Sequence, residues 1–330
     1  MRRRHLLALP AALLPGAAVA QGAAPGTAQT ATYPNRTVRI IVPYGPGGSS
    51  DIVARILAQR ATELTGHSFV VENRGGGASI PGTQAVAAAP PDGYTIGTAD
   101  NALVVNPALF RERLPYDTER DLGTLGLAVT APLLLLAHPS APARNVAEVL
   151  AEARAQPGAL GISHGGIATP THLAAVQLQL ATGLEFTQVG YRGGGPQLAG
   201  LVAGEVHYGL VAISSALGHV QGGRLRALAV TGNARSPLLP EVPTMAEAGL
   251  PSVDLVGWWG FISPAGLPPE VARRLHAVLL APAREAAIKA RLEGLGYGVV
   301  AGSPEDYAAL IRREIAQWNE IVARVGIKVE

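Results

Sequence analysis

The sequence has no cysteine, and its only lysines are Lys289 and Lys328. Without thiols there are no disulfides to staple the fold and no cysteine-type zinc sites. Stability must come from a buried core, which 330 residues permit. Charged residues make up 15 % and aromatic ones 5 %, against 48 % apolar, which excludes a disordered chain. Lysine scarcity removes the nucleoside-triphosphate loop, since no G-x-x-x-x-G-K-[ST] is present. The eight histidines include no H-E-x-x-H pair, so neither a metal nor another cofactor is expected. Long apolar runs are also missing: Pro132 to Ala137 has the length of a buried strand, far short of a membrane span.

What is present begins with an export signal. MRRRH is a positive start, LLALPAALLPGAA a short apolar core and Ala18-Val19-Ala20 a cleavage site, so residues 1–20 read as a signal peptide. Arg2-Arg3-Arg4-His5-Leu6-Leu7 fits Sec and twin-arginine export alike. Three of the 26 basic residues leave with this segment, against 24 acidic ones, so the mature chain is near neutral. No nucleic-acid partner is expected. Residues 21–32 read as a flexible leader, and the mature protein is expected in the periplasm.

Strand and helix patterns then alternate. Strands are predicted at Val38–Val42, Phe69–Val71 and Tyr94–Gly97, with helices at Asp51–Leu64 and Gly82–Ala88. The rhythm returns with strands at Gly158–Ser163, Phe186–Val189 and Val206–Val211. Helices there fall at Thr171–Leu180, Gln197–Val202 and Ser214–Gln221. This predicts an α/β protein of two doubly wound modules with parallel strands, whose ligand sits beyond the strand ends. Leu125–His138 and Leu225–Thr231 read as the two crossover segments joining the modules, after which the chain reads as mostly helical. Pro269–Leu280 is one helix, and Ser303-Pro304-Glu305-Asp306 caps the last, whose apolar face from Tyr307 to Val325 is core.

The junction VPYGPGGSSD, Val42 to Asp51, runs from a strand into a helix start. Gly47 and Gly48 let backbone N–H groups converge, and the helix adds unpaired N–H groups and a positive dipole end, so the junction suits an anion. Asp51 has two readings: a cap or first-turn acid, or a group that orients water or a polar ligand atom. Ala168-Thr169-Pro170-Thr171-His172 is a second such start, with Thr169 or Thr171 as cap and hydroxyl donor. His172 there is a packing residue or a ligand contact. Tyr191-Arg192-Gly193 is a third, where Arg192 pairs with a ligand carboxylate or stays solvated. Asp100-Asn101 lends side-chain hydrogen bonds or forms an Asx turn, and Trp258-Trp259 is core or a cleft wall. Gly161-Ile162-Ser163-His164-Gly165 fits the G-x-S-x-G elbow of α/β hydrolases, with Asp254 and His276 in the required order. An elbow serine is followed at once by its helix, whereas Gly165, Gly166 and Pro170 delay this one. A secreted hydrolase using Ser163 is the alternative reading, and no catalysis is the expectation.

VPYGPGGSSDIVAR, VVENRGGG, PDGYTIGT, NPALFRERLPYD, YRGGGP, LRALAVTGNARSPLLPEVPTMAEAGLP and GWWGFISPAGLP occur in this order between Tyr33 and Glu330. In this combination the chain resembles the extracytoplasmic solute-binding receptors of tripartite tricarboxylate transporters, the Bug or TctC-like family. The resemblance implies a two-lobed, type II-like periplasmic binding protein. Such a receptor closes on a small carboxylate, an organic acid or amino acid, and hands it to two membrane permease subunits. It implies lobe 1 at 33–128 and 230–330, lobe 2 at 129–229, and a monomer. It also implies ligand contacts from Tyr44, Gly47, Gly48, Ser49 and Asp51 in the first lobe, to which the residue reading adds Asn101. The second-lobe set is Ala168, Thr169, Thr171, His172, Tyr191, Arg192 and Gly193, with arginine where the family's Tyr-Lys-Gly motif has lysine. A sensing role toward a membrane signalling protein is a further alternative. The chain departs from the family at Val211-Ala212, where relatives often have Asp-Asn, and at Ala168, where they often have Gly. Loss of the polar pair predicts a less polar pocket, for a monocarboxylate or aromatic acid.

Overall fold

The β-branched run Val-Arg-Ile-Ile-Val forms β1 (Val38–Val42), buried on both faces except at Arg39. In this computed structural model the described residues are 33–325; the export signal, the leader and the last five residues of the 230–330 segment lie outside them. β1 pairs in parallel with β2 (Phe69–Asn73) and β3 (Thr95–Ala99), with α1 (Ser49–Thr65) and α2 (Ile80–Ala87) as the connecting helices. α3 (Ala102–Phe110) follows β3.

The next strand, β4 (Leu122–Ala137), is 16 residues long and belongs to two sheets. Its second part leads to α4 (Val146–Ala155), β5 (Gly161–His164), α5 (Pro170–Thr182), β6 (Thr187–Gly190), α6 (Gly194–Ala203), β7 (Tyr208–Ala212), α7 (Ile213–Gln221) and β8 (Arg226–Val230). After these come β9 (Val256–Pro264), α8 (Pro269–Leu275), α9 (Ala286–Glu293), β10 (Gly298–Val299) and α10 (Pro304–Val325). The strand order is β2-β1-β3-β9-β4-β7-β5-β6, with β10 and β8 also paired to β4.

Residues 122–132 of β4 pair with β9, and residues 133–137 pair with β7 and β8. The changeover falls at Pro132, which has no N–H to give a ladder. The Leu133 N–H then goes to the Thr231 hydroxyl at 2.8 Å, so a side chain satisfies the backbone where the sheets part. Leu133 to Ala137 are fully buried, as the apolar run predicts.

Two expectations are corrected. The sheets are mixed rather than parallel, because β4 and β9 run antiparallel to each other and to β7 and β3 respectively. The chain after Leu225–Thr231 is also not mostly helical: Val256–Pro264 is a strand inside the first sheet. Its run VGWWGFISP lacks strand alternation because both of its faces are covered. The helix at Pro269 stays α-helical to Leu275 and widens to a π turn over His276–Leu280. At α10 the Ser303 hydroxyl accepts the Asp306 N–H at 3.0 Å, the cap read from the sequence. No helix of the described residues is long and apolar enough to cross a membrane.

Candidate functional site

The first wall of the site is the β1–α1 junction. Gly47 has φ +85°, a conformation that glycine adopts without a Cβ penalty. Its N–H donates to Asp51 Oδ2 at 3.0 Å, which Arg55 Nε also reaches at 3.0 Å. Asn73 Nδ2 donates to Asp51 Oδ1 at 2.9 Å and to the Tyr44 carbonyl at 3.1 Å. Burial pushes the Asp51 carboxyl up, but Arg55, the Gly47 N–H and Asn73 together hold it below the usual carboxylate range. Asp51 therefore folds the glycine loop back over its own helix start. The first-turn N–H groups of Ser49 and Ser50 have no intrahelical partner and form an anion-favouring end.

The second wall is the β5–α5 junction. Thr169 caps α5 by accepting the His172 N–H at 3.4 Å, and Pro170 occupies the first helical position. The Thr171 hydroxyl accepts the Gly165 N–H at 2.8 Å. Ala168 has φ +64°, the left-handed region that costs a non-glycine residue about 1 kcal/mol. Ala168, read from the sequence as a departure from an expected glycine, is thus a residue under backbone strain.

Two buried histidines hold this loop. His164 Nδ1 accepts the Gly166 N–H at 3.2 Å and His172 Nδ1 accepts the Ala168 N–H at 3.3 Å, with the rings 4.8 Å apart. Burial pushes His164 down to about 4; burial and then the neighbouring His164 push His172 down to about 3. Both rings are neutral in the fold and protonate near 6.5 when unfolded. Their contribution to stability is thus present above pH 6.5 and lost as pH falls toward 4. Buried Asp100 acts with the opposite sign between pH 6 and 4, because its carboxyl is raised. The expected result is that a His164→Gln/His172→Gln variant loses less melting temperature than wild type between pH 7 and 4.5. Parallel curves in thermal denaturation would refute it.

The two walls meet. The Gly45 N–H donates to the Arg192 carbonyl at 3.3 Å, and the Ser49 hydroxyl lies 2.8 Å from that of Ser214 and 3.3 Å from that of Ser215. Tyr297 Oη donates to the Ser49 carbonyl at 2.9 Å. Between them lies a narrow cavity. Of the residues expected from the sequence, Tyr44, Gly48, Ser49, Asp51, Thr169 and Thr171 line it. Gly47, Ala168 and His172 shape the loops behind it, and Gly193 packs against Gly45 and Tyr44. Asn101 is an α3 cap residue whose Oδ1 accepts the Trp258 N–H.

Tyr191 and Arg192 sit differently from their expected roles. Tyr191 Oη donates to Glu205, and the Arg192 side chain is exposed. The Arg192 carbonyl takes part instead, accepting the Gly45 N–H where the two glycine loops pack backbone to backbone. Ser163 is no elbow nucleophile: it lies within β5, is fully buried, and its Oγ faces Gln197 Nε2 at 3.4 Å. Asp254 bonds Gln177 and His276 bonds the Leu125 carbonyl, so no triad assembles.

Val211, Ala212 and Trp259 line the cavity, placing the polar-pair departure and one tryptophan at the site. Trp258 instead packs on Tyr307 and donates to Glu314. Wall residues outside the expected set include Ser50, Asp100, Gly165, Gly194, Gln197 and Ser215. Gln197 carried a signal, as a polar residue on the buried face of an apolar helix. Asp100 accepts from Tyr44 Oη at 2.9 Å and the Ala102 N–H at 3.0 Å, both at Oδ1, and burial pushes its carboxyl up to about 6.

Two sheets sharing one strand, with a helix start from each turned onto a common cavity, define a two-lobed periplasmic binding protein. Residues 53–327 match the family described as tripartite tricarboxylate transporter family receptor, TctC, and the chain belongs to that family. It is similar to protein BugT of Bordetella pertussis (strain Tohama I), at 31 % identity over 310 residues covering 93 % of this chain and 94 % of BugT. The solved structure of R. palustris Rpa4515 with adipate matches with TM-score 0.85 and 31 % identity, over 90 % of this chain and 99 % of that one. MatC from Rhodopseudomonas palustris with bound malate matches with TM-score 0.83 and 29 % identity, over 88 % of this chain and 100 % of that one.

Proposed function

We propose that the chain is an extracytoplasmic receptor that captures a small carboxylate between its lobes and delivers it to the permease subunits of a tripartite tricarboxylate transporter. The observation that carries this reading is the pair of opposed helix starts, α1 at Gly48–Ser50 and α5 at Thr169–Thr171, on one cavity. α1 offers the unpaired N–H groups of Ser49 and Ser50, α5 offers that of Thr171, and hydroxyls stand at both; no lysine or arginine lines the cavity, so backbone dipoles hold the anion. Closure removes water, which strengthens each of these bonds. The lobes are 33–128 with 230–330, and 129–229. The receptor acts as a monomer in the periplasm, reached through the export signal at 1–20, and returns its ligand unchanged. Adipate and malate, bound by two relatives, support the carboxylate class.

A thermal-shift screen of mono-, di- and tricarboxylates, amino acids and aromatic acids tests this. A ligand at a hundredfold its Kd stabilises by about 2.7 kcal/mol. For a chain of this size that is a rise of roughly 4 °C. No shift from any carboxylate at millimolar concentration would overturn the proposal.

A further inference from the structure

The cavity has an accepting half as well as a donating one. Gln197 is fully buried, and its Nε2 donates to the Ser163 carbonyl at 2.9 Å and the Leu210 carbonyl at 2.8 Å. Two carbonyl partners fix the orientation of the amide. Its Oε1 is then left with no hydrogen-bond donor. Asp100, 4 % exposed, differs in that Oδ2 is not sealed from solvent, but both donors that reach the carboxylate, Tyr44 Oη and the Ala102 N–H, go to Oδ1. Oδ2 receives neither. Both residues belong to the cavity wall. A buried acceptor left without a donor is costly, and a buried carboxylate without a cation more so.

We infer that the ligand carries an ammonium group beside its carboxylate, and that Asp100 is the residue that selects it, with Gln197 Oε1 as a second acceptor. This deepens the carboxylate-receptor reading and rests on it. The ligand's carboxylate lies on the α1 and α5 starts, and its ammonium supplies both the donor for Oδ2 and the missing positive charge. A hydroxyl would satisfy Oδ2 but leave the Asp100 charge uncompensated beside an anionic ligand. The groups around this carboxyl supply no positive charge: the phenols of Tyr44, Tyr116 and Tyr307 stay neutral, and the nearby cation Arg55 is committed to Asp51. With the carboxyl raised to about 6, Asp100 is ionised at neutral pH. Val211, Ala212, Pro170 and Trp259 supply an apolar wall, which suits an amino acid with an apolar side chain.

Matched pairs that differ only by the α-ammonium test this by calorimetry at pH 7.5: phenylalanine against 3-phenylpropionate, leucine against 4-methylpentanoate, and glutamate against glutarate. The expected result is that the amino member of at least one pair binds tenfold or more tighter than its partner. Asp100→Asn, which replaces the Oδ2 acceptor by a donor, should erase or reverse that preference. The wild-type comparison stands on its own should the variant fail to fold. Carboxylates that bind with no advantage for the ammonium, or hydroxy acids that outbind both, would overturn this inference and leave the receptor reading intact. Binding by no member of either series would remove both.

Discussion

Gly195→Ala is expected to abolish ligand capture at millimolar concentration while leaving circular dichroism and the melting temperature of the free protein close to wild type. Gly195 lies in the first turn of α6, with a backbone that alanine accepts. A Cβ there would stand 1.9 Å from the Pro46 carbonyl oxygen and 3.0 Å from the Pro46 carbonyl carbon. These obstacles belong to the opposite lobe, and they are backbone atoms that cannot swing away. The clash therefore falls on the closed arrangement and spares the fold of each lobe. Calorimetry with any ligand found in the screen measures it, and small-angle scattering with and without ligand reads closure directly. A variant that binds within tenfold of wild type would show that the two glycine loops do not meet in the liganded state.

Asp51→Ala is the second large effect, and it is one of stability as well as binding. The substitution strips the acceptor from the Gly47 N–H, from Asn73 and from Arg55, whose guanidinium comes within 2.8 Å. Losing a carboxylate with several donors costs about 2–3 kcal/mol, a fall of roughly 3–5 °C in melting temperature for a chain of this size. Arg55 is half-exposed and recovers water, which keeps the figure from rising further. Binding should weaken at least a hundredfold, since the loop carrying Gly48 and Ser49 loses its tether. Because the Asp51 carboxyl is held low, its contribution is present above the ordinary carboxylate range and fades as pH drops through the lowered value. Wild-type melting with lost binding would instead assign Asp51 to the ligand alone.

Much of this was legible from residue pattern. The run Val38–Val42 coincides with β1, and the helix starts at Ser49 and Pro170 follow from glycine and Thr-Pro signals that act over a few residues. The apolar run ending at Ala137 had to be a fully buried strand on length alone. Strand direction was not legible in this way. β9 pairs with β3 and β4 from far along the chain, and its apolar run reads the same for either direction. The side-chain roles of Tyr191 and Arg192 escaped for a related reason. A guanidinium beside a glycine loop is a local cue for a carboxylate, but it is the Arg192 carbonyl that meets a loop nearly 150 residues earlier in the chain, while the side chain is exposed.

The sequence by itself determined the α/β rhythm, two helix starts behind glycine and Thr-Pro signals, and the family resemblance, because each rests on local chemistry or an ordered set of motifs. The tertiary structure alone decided which groups share the cavity. It turned Asp51 inward to tether its own loop, buried Ser163 against Gln197, left Gln197 Oε1 without a donor, and sent both donors that reach Asp100 to Oδ1. Those outcomes depend on contacts between segments distant in sequence, where burial and packing, rather than residue type, set what an atom can bond.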